Sequence, residues 1–229
     1  MTSRLLRLGF VLLLAVSGCR TTNHLPEYRE RLRRVAVTVS GKPNVRVDLG
    51  QSTQKHGFTA AVSQGMAAAA NAKLAVKLQS AFTADQMKAA MRAAAERMLV
   101  EQAGLELVAP EAADAVLDLS LRGYGVLADS PESPAQAAVD LGAEMTFLAE
   151  KKLIWERQRA YSAPIGIKAF AMGYVGGVPG VEYDKLISGQ KNISNLLLLD
   201  DASLQSTFLA YSYDATWTLC ENLVKGLRP

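Results

Sequence analysis

Residues 114–126 (DAVLDLSLRGYGV) constrain this chain more than any other stretch. Leu117, Leu119 and Leu121 recur at every second position, with Asp118, Ser120 and Arg122 between them. Only an extended chain sends alternate side chains to opposite faces, so the pattern is a strand with one apolar and one wet face. A sheet built on it must have one face covered and can leave the other to solvent. The rest of the chain must therefore supply helices to cover the apolar face.

The clearest of these helices starts at Thr83, whose hydroxyl can cap the amide of Gln86 while the Gln86 side chain reaches back, a T-x-x-Q capping box. Met87, Ala90, Met91, Ala94, Met98 and Leu99 then fall on one face, with Lys88, Arg92 and Glu96 opposite, and Gly104 provides the stop. A last helix opens at Asp200 and Asp201, acids suited to a helix N-terminus. It repeats Leu209, Tyr213, Thr216, Cys220 and Val224 on one side, joined by Trp217 and Leu227.

Residues 34–40 alternate as a strand, residues 41–43 (GKP) turn, and residues 45–49 alternate again, so the spacing predicts a hairpin. A short strand at 105–108, a single turn at 110–113 and a loop at 129–134 follow from the same kind of reading. A second hairpin is expected from residues 145–148 and 153–161 across Glu150, Lys151 and Lys152, with Trp155 packed on a helix. Residues 58–82 are alanine-rich and are interrupted by Gly65, and their side chains are mostly too small to define a buried face. The expected fold is α+β, a mixed, mainly antiparallel sheet covered by two main helices, with a glycine-rich insertion at 162–190.

The N-terminus carries Arg4 and Arg7 and then an uncharged apolar run from Leu8 that stops at Cys19. A spanning helix needs roughly 20 apolar residues, so this run has the length of a secretory signal and not of a membrane span. It ends Val16-Ser17-Gly18-Cys19, which resembles the lipobox of bacterial lipoproteins. The resemblance implies a diacylglyceryl group on the Cys19 sulfur, cleavage between Gly18 and Cys19, and acylation of the new amino group. It also implies that Arg20, which stands where an inner-membrane lipoprotein of enteric type carries Asp, sends the protein to the outer membrane, on its periplasmic face. The organisation expected is a signal peptide at 1–18, a lipidated tether at 19–33 and a single domain at 34–229.

The formal charge of +3 includes Arg4 and Arg7, so the mature chain is nearly neutral and no basic surface for nucleic acid is expected. Only residues 29–34 (RERLRR) form a basic run; it reads as a solvated face of the tether or as a contact for anionic head groups. With Cys19 lipidated, Cys220 is left without an intramolecular partner and reads as a small buried hydrophobe.

No catalytic constellation emerges. Residues 61–65 (AVSQG) have the spacing of a variant nucleophile elbow at Ser63, but an elbow enzyme places its histidine after its serine, whereas His24 and His56 both precede it. No HExxH, CxxC or GxSxG occurs, and the carboxylate pairs Asp200 with Asp201 and Glu27 with Glu30 suit capping and tether roles. Neither a metal nor a cofactor is expected. Gly173, Gly176 and Gly177 lack the Gly-Lys-Ser/Thr ending of a phosphate-binding loop. Three readings of residues 162–190 stay open: an insertion lying over the sheet, a membrane-touching loop, or a partner-binding segment with Phe170, Tyr174 and Val175 as contacts.

The order of elements, with a helix leading to a short strand, then EAADAVLDLSLRGYGV, then a strand containing KKLIWE, resembles periplasmic lipoprotein domains of the TolB amino-terminal type. The curli-secretion lipoprotein and activators of penicillin-binding proteins share that core. The resemblance covers residues 34–160, and the glycine-rich insertion departs from it. It implies a noncatalytic adaptor or assembly factor that binds another envelope protein. It also implies assembly into pores, and the alternative reading is an oligomer inserting segments 58–82 and 162–181, both unusually free of charge, into a membrane as a secretion channel.

Overall fold

The computed structural model describes residues 22–49, 58–129, 133–166 and 178–228. Cys19 with Gly18 before it, His56, and the contact residues Phe170, Tyr174 and Val175 lie outside the described residues. The elements in order are α1 (Leu25–Tyr28), β1 (Arg34–Ser40), β2 (Asn44–Leu49), α2 (Phe58–Ala81), α3 (Ala84–Ala103), β3 (Glu106–Leu107), β4 (Ala115–Ala128), β5 (Gln136–Phe147), β6 (Lys152–Pro164), α4 (Ile193–Leu198) and α5 (Asp201–Leu227). The fold is α+β, with one six-stranded mixed sheet in the order β3-β1-β4-β5-β6 and β2 also beside β4.

β4 is the centre of the sheet, as its alternation requires. Leu117, Leu119 and Leu121 are fully buried, whereas Asp118 and Arg122 are exposed. β5 runs antiparallel to it and β6 antiparallel to β5, so the hairpin expected from residues 145–161 is present and turns at Lys151, whose φ is +50°. β5 reaches back to Gln136, well before the expected start at Met145. Its first half alternates alanine, glycine and single charges, too weak a contrast to read in advance.

β1 and β2 do not form a hairpin. Both lie parallel to β4, β1 along Ala115 to Ser120 and β2 along Gly123 to Ala128. Gly41 at the seam has φ +106°, and a Cβ there would stand 2.3 Å from the Leu121 carbonyl oxygen. The GKP sequence therefore steps one interrupted strand past a bulge in β4, where the β5 register also shifts between Leu121 and Gly123. A parallel return needs a long crossover, and α2 with α3 provide it. The parallel pairing is anchored at Asp114, whose carboxylate accepts from the backbone N–H of Arg33 (3.0 Å) and Arg34 (2.8 Å) and from the Arg34 guanidinium (2.9 Å).

Both main helices appear as expected. The Thr83 capping box closes, with Gln86 N–H donating to Thr83 Oγ1 at 3.3 Å and Thr83 N–H to Gln86 Oε1 at 2.8 Å, and Gly104 ends α3 in the left-handed region. All six apolar residues predicted for the α3 stripe are buried. Asp200 caps α5 through Ser203 N–H at 2.7 Å, and Cys220 is fully buried, its thiol pushed up to about 12 by loss of solvent.

A third long helix, α2, joins them, so the sheet has more cover than two helices. Leu74, Leu78 and Phe82 recur four residues apart and all are buried, which is the signal the alanine background obscured. Phe82, one residue past the end of α2, stacks on Phe208 with ring centroids 5.3 Å apart and lies tilted to Tyr124 at 5.2 Å, drawing α5 and β4 into one aromatic cluster. Lys77 of α2 donates to the carbonyl oxygens of Leu197 and Leu199, closing the end of α4. Ser63 lies inside this helix and not on a strand-to-helix turn, so the elbow geometry a hydrolase needs is not formed.

Residues 22–33, expected to belong to a spacer, pack onto the domain instead. Asn23 bridges Trp155 in antiparallel fashion, His24 N–H donates to Ile154 O at 2.7 Å, and Glu156 N–H donates to Thr22 O at 3.0 Å. Leu25, Tyr28 and Leu32 are core residues. Arg31 of the basic run sits 4.6 Å from the Phe147 ring centroid and pairs with Glu150 at 2.7 Å. Two arginines of the run, Arg31 and Arg34, are thus engaged within the fold.

Candidate interaction surface

The helices lie against one face of the sheet, and the other face carries its polar side chains outward. Register places Thr38, Asp118, Glu144 and Glu156 side by side across β1, β4, β5 and β6. Three acids in one row repel one another, and the Thr38 hydroxyl offsets part of this by donating to Asp118 at 2.9 Å. One step along, the row is Ser40, Ser120, Gly142 and Gln158. A Cβ on Gly142 would lie 2.5 Å from Ser120 Oγ and 3.1 Å from Arg122 Nε. Glycine here lets the Arg122 side chain cross low over β5.

Beyond Arg122 the face dips into a groove of about 390 Å³. Its floor is small, made by Gly123, Gly125, Ala138 and Ala160, and its rim carries Asn44, Arg46, Arg122, Asp140 and Ser162. Arg46 is 76 % exposed and pairs with Asp48 at 2.7 Å, an interaction that solvent screens almost completely. The face thus runs from an acidic band, across Arg122, to a groove with charges of both signs on its rim. Such an arrangement can hold a polar partner laid across the strands. It brings together no nucleophile, base and orienting group, and no group of three or more His, Cys, Asp or Glu side chains that could hold a metal ion occurs among the described residues.

The groove abuts the end of β6, where the covered side of the sheet is tied down by polar bonds. The Tyr161 hydroxyl donates to the Asp214 carboxylate, and the Tyr211 hydroxyl donates to Pro164 O at 2.6 Å. Burial raises Tyr211 to about 12, and burial with the Asp214 contact raises Tyr161 as well. Asp214 is itself raised by burial, with the Tyr161 bond acting in the opposite direction. These groups fix α5 to β6.

Past Pro164 the chain enters the glycine-rich segment, and its two ends are pinned together. Gly166 has φ +86°, and a Cβ there would meet Gly189 O at 1.8 Å. On the return, Val178 and Ile187 are buried. The buried hydroxyls of α5 receive the backbone, Glu182 N–H at Ser206 Oγ and Ile187 N–H at Thr207 Oγ1, both 3.1 Å. Residues 178–189 are therefore a covering segment over α5.

The groove draws on four strands, which is why reading the chain in order did not find it. The only local signal was the wet face of β4, with Asp118, Ser120 and Arg122 in alternation.

No family model matches this chain, and no curated protein does. Among solved structures it is similar to a Xanthomonas campestris protein of the family DUF330, at 10 % identity and TM-score 0.41, covering 85 % of each chain. It is also similar to PelC from Paraburkholderia phytofirmans, solved as a dodecamer, at 10 % identity and TM-score 0.25, covering 77 % of this chain and 85 % of that one. A third is the C-terminal domain of LpoB from Salmonella enterica, at 14 % identity and TM-score 0.20, covering 60 % of this chain and 95 % of that one. Likenesses of this strength assign the chain to no family.

Proposed function

We propose that this chain is a lipid-anchored lipoprotein of the outer membrane whose periplasmic domain works as a noncatalytic adaptor, presenting the open face of its sheet to another envelope protein. Cys19 carries the lipid, Gly18 precedes the cut, and Phe170, Tyr174 and Val175 are further partner or membrane contacts. The single observation that carries the reading is the groove itself: a floor of glycine and alanine beside Arg46, Arg122 and Asp140. At Gly123 and Gly125 the closely approaching backbone is that of β2, a Cβ on Gly125 falling 1.6 Å from Arg46 O, while Ala138 and Ala160 add little bulk to the groove and the exposed rim charges select a polar partner by complementarity.

The channel alternative has less support. Segment 58–82, which it would insert, commits Leu74, Leu78 and Phe82 to the core.

The test is crosslinking in intact cells from a photoreactive residue placed at Ser162 and, separately, at Tyr174, with Cys19→Ala as the comparison. A single adduct from Ser162 that requires the anchor is the expected result. A ladder of self-adducts would move the reading to an oligomeric channel, and no adduct from Ser162 would remove the open face as the docking surface.

A further inference from the structure

The first described residues, Thr22 to His24, lie along the outer edge of β6, hydrogen-bonded to Ile154 and Glu156. Cys19 stands only three residues before Thr22, and three residues of extended chain reach at most about 11 Å. A lipid on Cys19 therefore leaves the domain almost no freedom to stand away from the bilayer. It also determines which part of the domain comes down, because the tether leaves from one place on the β6 edge.

That edge continues past Glu156 as Arg157, Gln158 and Arg159, with Gln158 and Arg159 exposed and Arg157 half-buried. Among the described residues, β6 has a strand partner only on its β5 side along this part. Among the described residues, Arg157 and Arg159 form no ion pair. Two guanidinium groups next to the point of anchorage match a surface of anionic head groups, where each near-surface cation contributes about 1 kcal/mol, or about fivefold.

We infer that the β6 edge at Arg157 to Arg159 rests on the bilayer, its two arginines in contact with anionic phospholipid head groups. The inference builds on the lipoprotein reading of Cys19. The sheet then stands on its edge on the membrane, and the groove opens sideways, where a partner reaches it without crossing lipid.

The experiment uses the full lipidated chain reconstituted in phosphatidylcholine vesicles containing phosphatidylglycerol, with a spin-labelled head group as quencher. A fluorophore is attached at Gln158→Cys, at Val76→Cys or at Arg92→Cys, the last two exposed on α2 and α3. Cys220 is fully buried and does not compete for the label. Strong quenching at position 158 and little at 76 and 92 is expected. Arg157→Glu with Arg159→Glu should lower the edge-bound population by more than tenfold, at fivefold for each lost cation and more for the reversed charge. Equal quenching at all three positions overturns the inference while leaving the anchor intact. Mass spectrometry showing no lipid on Cys19 overturns the inference and the lipoprotein reading together.

Discussion

The two faces of the sheet are built from the same strands and hold opposite chemistry. On the covered face, Leu117, Leu119, Leu121, Val139, Leu141 and Met145 are sealed under α2, α3 and α5, and the Phe82, Tyr124 and Phe208 rings close the layer. On the open face, the alternate positions of β4 and β5 are Asp118, Ser120, Arg122, Ala138, Asp140, Gly142 and Glu144. Burial of apolar area holds the fold together from one side only. The other side contributes little to stability, so its residues are free to be chosen for what they contact.

The sharpest way to break this comparison is to cut into the covered face. Phe208 is fully buried and touches the rings of Phe82 in the link after α2, Tyr124 of β4 and Tyr211 of α5. Phe208→Ala should cost about 3–5 kcal/mol, read as a loss of denaturation midpoint in urea with an unchanged slope. A cost below about 1 kcal/mol would mean that the aromatic cluster is not the centre of the core.

The seam between β1 and β2 tests the strand path that both faces share. Gly41→Ala forces a side chain into φ +106° and against Leu121 O. The conformation alone costs about 1–3 kcal/mol, and the contact with backbone adds to it. A thermal melt that leaves the midpoint unmoved would contradict the parallel path and favour the hairpin that residues 34–49 suggest when read alone.

That seam also marks where the sequence stops being legible. β1, the capping box of α3, the Gly104 stop and the Asp200 cap were readable because each depends on residues within a few positions of one another. Glycine, lysine and proline at 41–43 are equally good as a turn or as a link over a bulge, and what decides between them is β4, about 80 positions away. The first part of β5 escaped because Ala137, Gly142 and Ala143 are small enough to hide an alternation that becomes evident only once the neighbouring strands are present. The groove escaped for a related reason: Arg46, Arg122, Asp140 and Ser162 share a site only because four strands align. The tether misled in the opposite direction. Its charged residues suggested solvent, while Leu25, Tyr28 and Leu32 among them carry the packing.

A buried carboxylate on the covered side sharpens the comparison through pH. Burial raises the Asp214 carboxyl above its ordinary value, despite the Tyr161 bond. Its folded state therefore binds a proton more readily than its unfolded state, and this contribution to stability is present at low pH and lost as pH rises through the raised value. Asp114 behaves oppositely. Burial works against its charge, but the N–H groups of Arg33 and Arg34 and the Arg34 guanidinium hold it below the usual carboxylate value. Its contribution is full at neutral pH and lost as pH falls through that lowered value. Asp214→Asn should keep a bond to Tyr161 and remove the loss of stability on going from acid to neutral pH. Unfolding curves at several pH values check it, and a variant with unaltered pH dependence would refute the role assigned to Asp214.

The smallest effect belongs to the open face and tests its independence from the core. Glu144 lies in register between Asp118 and Glu156, with like charges on both sides. Neutralising the middle one relieves repulsion that an exposed setting keeps small, so Glu144→Gln should stabilise by a few tenths of a kcal/mol, in contrast to the loss that usual substitutions bring. The gain should shrink in high salt, because the repulsion acts across solvent over distances that a Debye length of about 8 Å or less screens. A destabilisation above about 1 kcal/mol would show that Glu144 has a structural partner and that the open face takes part in holding the fold. A small gain that fades with salt, accompanied by a lost or altered crosslink from Ser162, would show the acidic band kept at a cost to stability for its contact with a partner.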